Sequence, residues 1–212
     1  SEGFVWWVKR IRRNLELFDV VRMDHFRGFA GFWEIPGHEQ TAVNGYWVDA
    51  PGENLFKTLA KRFPQLPVIA EDLGVITADV HLMRKNMGFP GMKVLQFAFG
   101  SGNGDNPDAP HNHEKDCVVY TGTHDNNTTL GWFDGESGRD ERLRFLTYMG
   151  SENDESRVHE KMMRLAMMSV ADTAIIPMQD VLGLDESARM NTPSIAKGNW
   201  EWRFKEEHMN TS

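Results

Sequence analysis

Three short stretches of the chain join acidic side chains to partners suited to moving protons or stabilising charge. They are Arg22-Met23-Asp24, Glu71-Asp72, and Thr123-His124-Asp125-Asn126-Asn127. Each ends or follows an apolar run that reads as a strand, so the acids fall at strand carboxyl ends, where α/β architectures collect their functional groups. Residues two apart in a strand face the same way, which sets Arg22 beside Asp24. Glycoside chemistry needs such a set. One carboxylate attacks the anomeric carbon and one carboxylic acid protonates the leaving oxygen. A third carboxylate can stabilise the oxocarbenium-like charge or hold sugar hydroxyls. Arg22 favours an ionised Asp24, while crowding and burial favour a protonated Glu71, so opposite environments sort the two roles. The three tips are expected to converge on one ligand.

Taken singly, each residue has a plainer reading. An Arg-x-Asp pair in a strand is commonly a structural ion pair. Glu71 or Asp72 can cap the helix that follows, and His124 can be a satisfied loop histidine. It is the coincidence of all three at strand ends that favours chemistry. His111 and His113 have the spacing of a metal pair but lie in a polar loop without a further ligand, and no role is assigned to them.

The elements that must position these groups read as βα units. Phe4, Trp7, Val8, Ile11 and Leu15 line one helical face ahead of a strand over Phe18 to Asp24. Further strands are expected over Pro67 to Glu71, Met92 to Phe99, Cys117 to Thr121 and Ala174 to Met178. Helices are expected over Pro51 to Phe63, from a Thr77 cap to Gly88, and over Glu155 to Val170 on a Val158, Met162, Leu165, Met168 face. Gly100 to Asp116 reads as a loop. No repeat, linker or domain boundary is visible. Five strands are too few for an eight-stranded barrel, so the expectation is α/β, a partial (β/α)8 TIM barrel; the competing reading is an open doubly wound sheet.

The 212 residues, 40% hydrophobic and 25% charged, can form a sizeable core, and the net charge of -8 argues against a nucleic-acid partner. Seven Trp and thirteen Phe fill a core or stack on sugars. The single Cys117 suits a reducing compartment, and no apolar run approaches a membrane span. A cytoplasmic setting is expected, with a plastid one left open.

The stretches Arg22-Met23-Asp24-His25-Phe26-Arg27-Gly28-Phe29, Ile69-Ala70-Glu71-Asp72-Leu73-Gly74 and Tyr120-Thr121-Gly122-Thr123-His124-Asp125-Asn126-Asn127-Thr128 closely resemble three motifs of the amylomaltases, or disproportionating enzymes. Lys93 to Phe99, Gln179 to Leu184, Ala188 to Pro193 and Gly198 to Arg203 match as well, in order and spacing. The resemblance covers nearly the whole chain. It implies a retaining 4-α-glucanotransferase of the α-amylase clan, with Asp24 as nucleophile, Glu71 as acid/base and Asp125 as stabilising acid. Arg22 and His124 match positions that bind the nucleophile and the sugar. It further implies that residues 1–212 are the C-terminal part of the barrel, strands four to eight, with the N-terminal half of the same protein as missing partner and the isolated chain inactive. The substrates implied are maltooligosaccharides and α-1,4-glucans from starch or glycogen, with no cofactor and no metal. One departure is local: Ser194-Ile195-Ala196-Lys197 stands where relatives often have a Gly-Thr-Pro-like turn.

Aromatic faces at Phe26, Trp33 and Trp132 are candidates for stacking on an acceptor sugar, with core burial as the competing reading. Three rival functions use the same residues. They are an α-glucan hydrolase, a metal-dependent barrel enzyme ligated by Asp24, His25, Glu71, His124 and Asp125, and a protein that only binds glucan.

Overall fold

The computed structural model describes residues 3–102, 104–206 and 208. The chain divides into two compact units, Ser1–Met92 and Lys93–Ser212, at a point where the sequence shows no linker.

The first unit opens on helix α1 (Val5–Leu17), whose Trp7, Val8, Ile11 and Leu15 face packs on the core as the periodicity predicts. Strand β1 (Val21–Met23) follows, shorter than expected. An antiparallel hairpin, β2 (Gly31–Glu34) with β3 (Tyr46–Asp49), was not foreseen. Helix α2 (Gly52–Arg62) buries Leu55, Phe56 and Leu59, with Glu53 in its first turn and Lys61 and Arg62 in its last, as the helix dipole favours. Strand β4 (Val68–Ala70) pairs in parallel with β1, Val21 opposite Val68 and Met23 opposite Ala70. Helix α3 (Ala78–Met87) begins after Thr77, which occupies the capping position without making the side-chain cap bond. It ends at Gly88, whose φ of 67° is the left-handed geometry that only glycine adopts at little cost. The core of this unit is aromatic: Phe26 stacks on Phe56 at 5.3 Å, and Phe89 meets Phe56 edge-on at 5.3 Å.

Strand β5 (Gly91–Val94) leads into the second unit, then turns into a 3-10 segment over Leu95–Phe97 rather than continuing as a strand. Strand β6 (Cys117–Tyr120) is buried at every position, as a central parallel strand must be. It pairs in parallel with β7 (Thr173–Ile175), in the order β5, β6, β7. After β6 a short helical turn α4 (Thr129–Gly131) runs directly into a π-turn over Trp132–Glu136. Helix α5 (Arg139–Tyr148), another element not foreseen, and α6 (Val158–Met168) complete the core. Helix α6 buries Val158, Met162 and Leu165 as expected, but Met168, its last residue, is exposed to solvent. Met178, expected to end the last strand, instead opens the short helix α7 (Met178–Val181). The five expected strands are therefore all present, but as a two-stranded sheet in the first unit and the three-stranded sheet β5, β6, β7, with the β2–β3 hairpin as a separate sheet, and not as one five-stranded sheet. Among the described residues no helix is long and apolar enough to cross a membrane.

Candidate active site

In the first unit the parallel register of β1 and β4 places two acids side by side. Met23 pairs with Ala70, so Asp24 and Glu71 are the next residues on neighbouring strands, both at carboxyl ends. The Glu71 N–H donates to the Met23 carbonyl at 2.9 Å, and Phe26 N–H donates to the Glu71 carbonyl at 2.9 Å, which carries the register past the strands. His25 turns the chain away with φ 47°. Arg22 Nη2 lies 2.8 Å from Asp24 Oδ1, the same-face pairing expected from strand alternation, and its Nε donates to Met92 Sδ at 3.3 Å. The Asp24 side chain is 76% exposed, so it is presented to solvent and held from one side only.

Glu71 sits differently. Its Oε2 accepts the His25 N–H at 2.6 Å and its Oε1 accepts the Leu73 N–H at 3.0 Å. Crowding was expected here; what surrounds the carboxyl group is a pair of backbone donors. Glu71 does not cap α3. Asp72, its neighbour, is structural. Its side chain is 4% exposed, lies 3.0 Å from Arg84 Nε and accepts the Met92 N–H at 2.8 Å. It ties the end of β4 to α3 and β5.

In the second unit His124 and Asp125 lie beyond the end of β6, in a loop held by side chains. Asn126 Oδ1 accepts from both the N–H and the hydroxyl of Thr123. Asp125 Oδ1 accepts from Asn191 Nδ2 at 2.6 Å, and His124 Nε2 lies 3.4 Å from Asp125 Oδ2. Arg189 Nη2 donates to the Asp125 carbonyl at 2.9 Å and Nη1 pairs with Glu136 Oε1 at 2.5 Å. Beneath them Asp180, 1% exposed, accepts the Thr121 hydroxyl at 2.5 Å and the Thr129 N–H at 2.7 Å. Gly122 leaves room there for Gln96, whose Nε2 would lie 2.7 Å from a Cβ at this position. A cavity of about 160 Å³ opens at this loop, lined by Thr123, His124, Asn127, Arg189, Met190 and Trp200 among others. The Trp200 ring lies 5.2 Å from that of His124.

Of the aromatic candidates, Phe26 and Trp132 are core residues and Trp33 alone is exposed, against Trp47 in the hairpin. The ring contacts inside each core leave Phe26 and Trp132 no face for a sugar. His113 is buried and not solvated as expected: its ring nitrogens contact Ser169 Oγ at 2.7 Å and the Asp108 carbonyl at 2.9 Å. His111 engages Tyr148 Oη and the Gly104 carbonyl. All four nitrogens thus have structural partners. Among the described residues no three His, Cys, Asp or Glu side chains group as a metal site. Arg189, Asn191, Glu136 and Trp200 had no role assigned from sequence. The matching runs Ala188 to Pro193 and Gly198 to Arg203 pointed toward Arg189, Asn191 and Trp200, and no motif pointed toward Glu136.

Comparison with known proteins gives a consistent set of relatives. The family described as 4-alpha-glucanotransferase matches residues 1–209. The 4-alpha-glucanotransferase of Synechocystis is 50% identical over 212 residues, which cover 99% of this chain and 41% of that protein. The chloroplastic/amyloplastic 4-alpha-glucanotransferase of Arabidopsis thaliana is 50% identical over 206 residues, 96% of this chain and 35% of its own. Among solved structures, the amylomaltase of Streptococcus agalactiae in complex with acarbose superposes with a TM-score of 0.93 at 38% identity, over 99% of this chain and 42% of that one. The chain thus spans less than half the length of these relatives. On the extent of the family match, the chain belongs to the 4-alpha-glucanotransferase family.

Proposed function

We propose that the protein transfers α-1,4-glucan segments between maltooligosaccharides, or to glucose, with retention through a covalent glycosyl-enzyme ester. The observation that carries this is the placement of Asp24 and Glu71 at the ends of adjacent parallel strands in register. Neighbouring strands lie about 4.8 Å apart, and a retaining glycosidase holds its two carboxyl groups about 5–5.5 Å apart. An inverting arrangement, with room for a water between the acids, asks for about 6.5–9.5 Å. Register at strand ends thus favours attack by a carboxylate over attack by water.

In this reading Asp24, held from one side by Arg22, attacks the anomeric carbon. Glu71 protonates the departing glucan oxygen, then removes a proton from an acceptor sugar hydroxyl. A protonated Glu71 keeps one oxygen as a pure acceptor, so the acid step disturbs no more than one of its two backbone contacts. Asp125 stabilises the positive charge of the transition state, and His124 binds the sugar. No cofactor enters this scheme. The chain would be the C-terminal part of a (β/α)8 barrel, β1 corresponding to its fourth strand, in a cytoplasmic protein. Parallel pairs alternating with helices support that assignment.

The test is incubation of the full-length protein with maltotriose. Transfer yields glucose together with maltooligosaccharides longer than the substrate, at a constant number of reducing ends. A hydrolase instead raises the number of reducing ends, and a glucan-binding protein leaves maltotriose intact.

A further inference from the structure

We propose that Arg189 is the positioning residue for the Asp125 loop, gripping its backbone so that the carboxylate is aimed without being neutralised. The assignment of a catalytic consequence rests on the transfer reading above; the grip itself rests on geometry alone.

Strand β6 ends at Tyr120, so no strand register fixes Asp125. Within the loop the Asp125 N–H donates to Thr123 Oγ1 at 3.3 Å, and the remaining contacts come from a distant segment. The Arg189 guanidinium addresses three acceptors at once: the Asp125 carbonyl through Nη2 at 2.9 Å, the Asn191 carbonyl through Nε at 2.9 Å, and Glu136 Oε1 through Nη1 at 2.5 Å. Asn191 is thereby held where its N–H donates to the His124 carbonyl at 3.1 Å and its Nδ2 donates to Asp125 Oδ1 at 2.6 Å. The Arg189 side chain is only 19% exposed, while the Glu136 and Asp125 side chains at the ends of its reach stay open to solvent, at 46% and 48%.

The distribution of charge is the informative feature. Arg189 places its ionic contact on Glu136, which the π-turn delivers and which also accepts Asn127 Nδ2 at 3.2 Å. It touches Asp125 only at the main-chain oxygen. The hydrogen-bond donor on Asp125 Oδ1 is instead the neutral amide of Asn191, and the His124 ring nitrogen Nε2 lies 3.4 Å from Oδ2, so no guanidinium sits on the carboxylate. A guanidinium on that carboxylate would oppose the stabilisation of a cationic transition state; a guanidinium on the carbonyl behind it aims the group and leaves its charge available. The planar guanidinium spreads its donors over three acceptors from separate segments, whereas a lysine ammonium is a point charge on a flexible stem.

The experiment uses the full-length protein with Arg189→Ala, Arg189→Lys and Asn191→Ala, read by maltotriose kinetics and by amide hydrogen exchange. For Arg189→Ala the expectation is loss of protection over residues 123–127 with protection over 117–120 retained. kcat should fall about 100-fold, the cost of a small misplacement of a catalytic group, while KM stays nearly constant. Arg189→Lys should not restore kcat, and added guanidinium ion should partly restore it in Arg189→Ala. A merely structural role would give neither the rescue nor the separation of kcat from KM. Unchanged protection over 123–127, or a change in KM alone, overturns the proposal. If Arg189→Ala also loses protection over 117–120, Asn191→Ala decides: kcat should fall at least about tenfold with the loop still protected, and wild-type kcat overturns the proposal. A wild-type protein that leaves maltotriose unchanged sinks the transfer reading, while the exchange result still decides the grip.

Discussion

The two acid-bearing regions are built on opposite principles. In the first unit Asp24 and Glu71 follow directly on paired residues of β1 and β4, so main-chain register places them; the Asp24 side chain is held by Arg22 alone and that of Glu71 by two nearby backbone N–H groups. In the second, Asp125 lies past its strand and is placed by side chains drawn from far along the chain, with the buried Asp180 beneath. Where the backbone does the positioning, exchanging a side chain costs mainly chemistry. Where side chains do it, exchanging them costs structure as well.

The largest effects separate these cases. With Glu71 in the proposed acid role, Glu71→Gln should lower maltotriose transfer by about 10²–10⁴-fold, because no proton reaches the leaving oxygen, and should cost the fold no more than one of its two backbone contacts, about 1–2 kcal/mol. Activated glycosyl fluorides, which need little acid help, should lose far less; if they gain no relative advantage, Glu71 is not the acid. Asp180→Ala should do the reverse and destabilise the second unit by about 3 kcal/mol, since the Thr121 hydroxyl and Thr129 N–H are left unpaired in a buried site. Chemical denaturation followed by probes in each unit would show it, and a neutral result would contradict the account of the second loop.

Two smaller effects sharpen the comparison. Ser194 adopts φ 66°, a left-handed conformation that costs a non-glycine residue about 1 kcal/mol. Ser194→Gly should therefore stabilise by about that amount in thermal unfolding, without altering kinetics. His113, whose pKa burial lowers from 6.5, gives a pH signature confined to the second unit. With the folded value depressed, the unfolded chain binds the extra proton first. His113 thus contributes its stability in full above about pH 6.5, and that contribution is lost as pH falls below it. Denaturation at pH 7 and pH 5 should show a shallower loss in His113→Gln than in wild type.

The same contrast explains what could be read from sequence. The faces of α1 and α6, the Gly88 stop and the same-face pairing of Arg22 with Asp24 follow from periodicity and local geometry, and each is present. The hairpin β2–β3 escaped because Trp33 and Trp47 are both substantially exposed, so no alternation of buried and polar residues marks the strands. Helix α5 escaped because its charged sequence, Arg139 to Arg144, carries only a short apolar stripe at Phe145 and Leu146. Arg189 and Asn191 escaped for a third reason. Their partners, Glu136 and Asp125, are distant in sequence, and no local pattern announces such contacts.

The most direct test of the central claim is a trapping experiment on the full-length protein carrying Glu71→Gln, given an activated glycosyl fluoride so that the ester forms but is slow to turn over. Peptide mass mapping should find one glycosyl increment on the peptide containing Asp24, and none in the double variant with Asp24→Asn, because an amide cannot form the ester. A glycosyl group on another carboxylate, or normal transfer by Asp24→Asn with no covalent adduct, would contradict it.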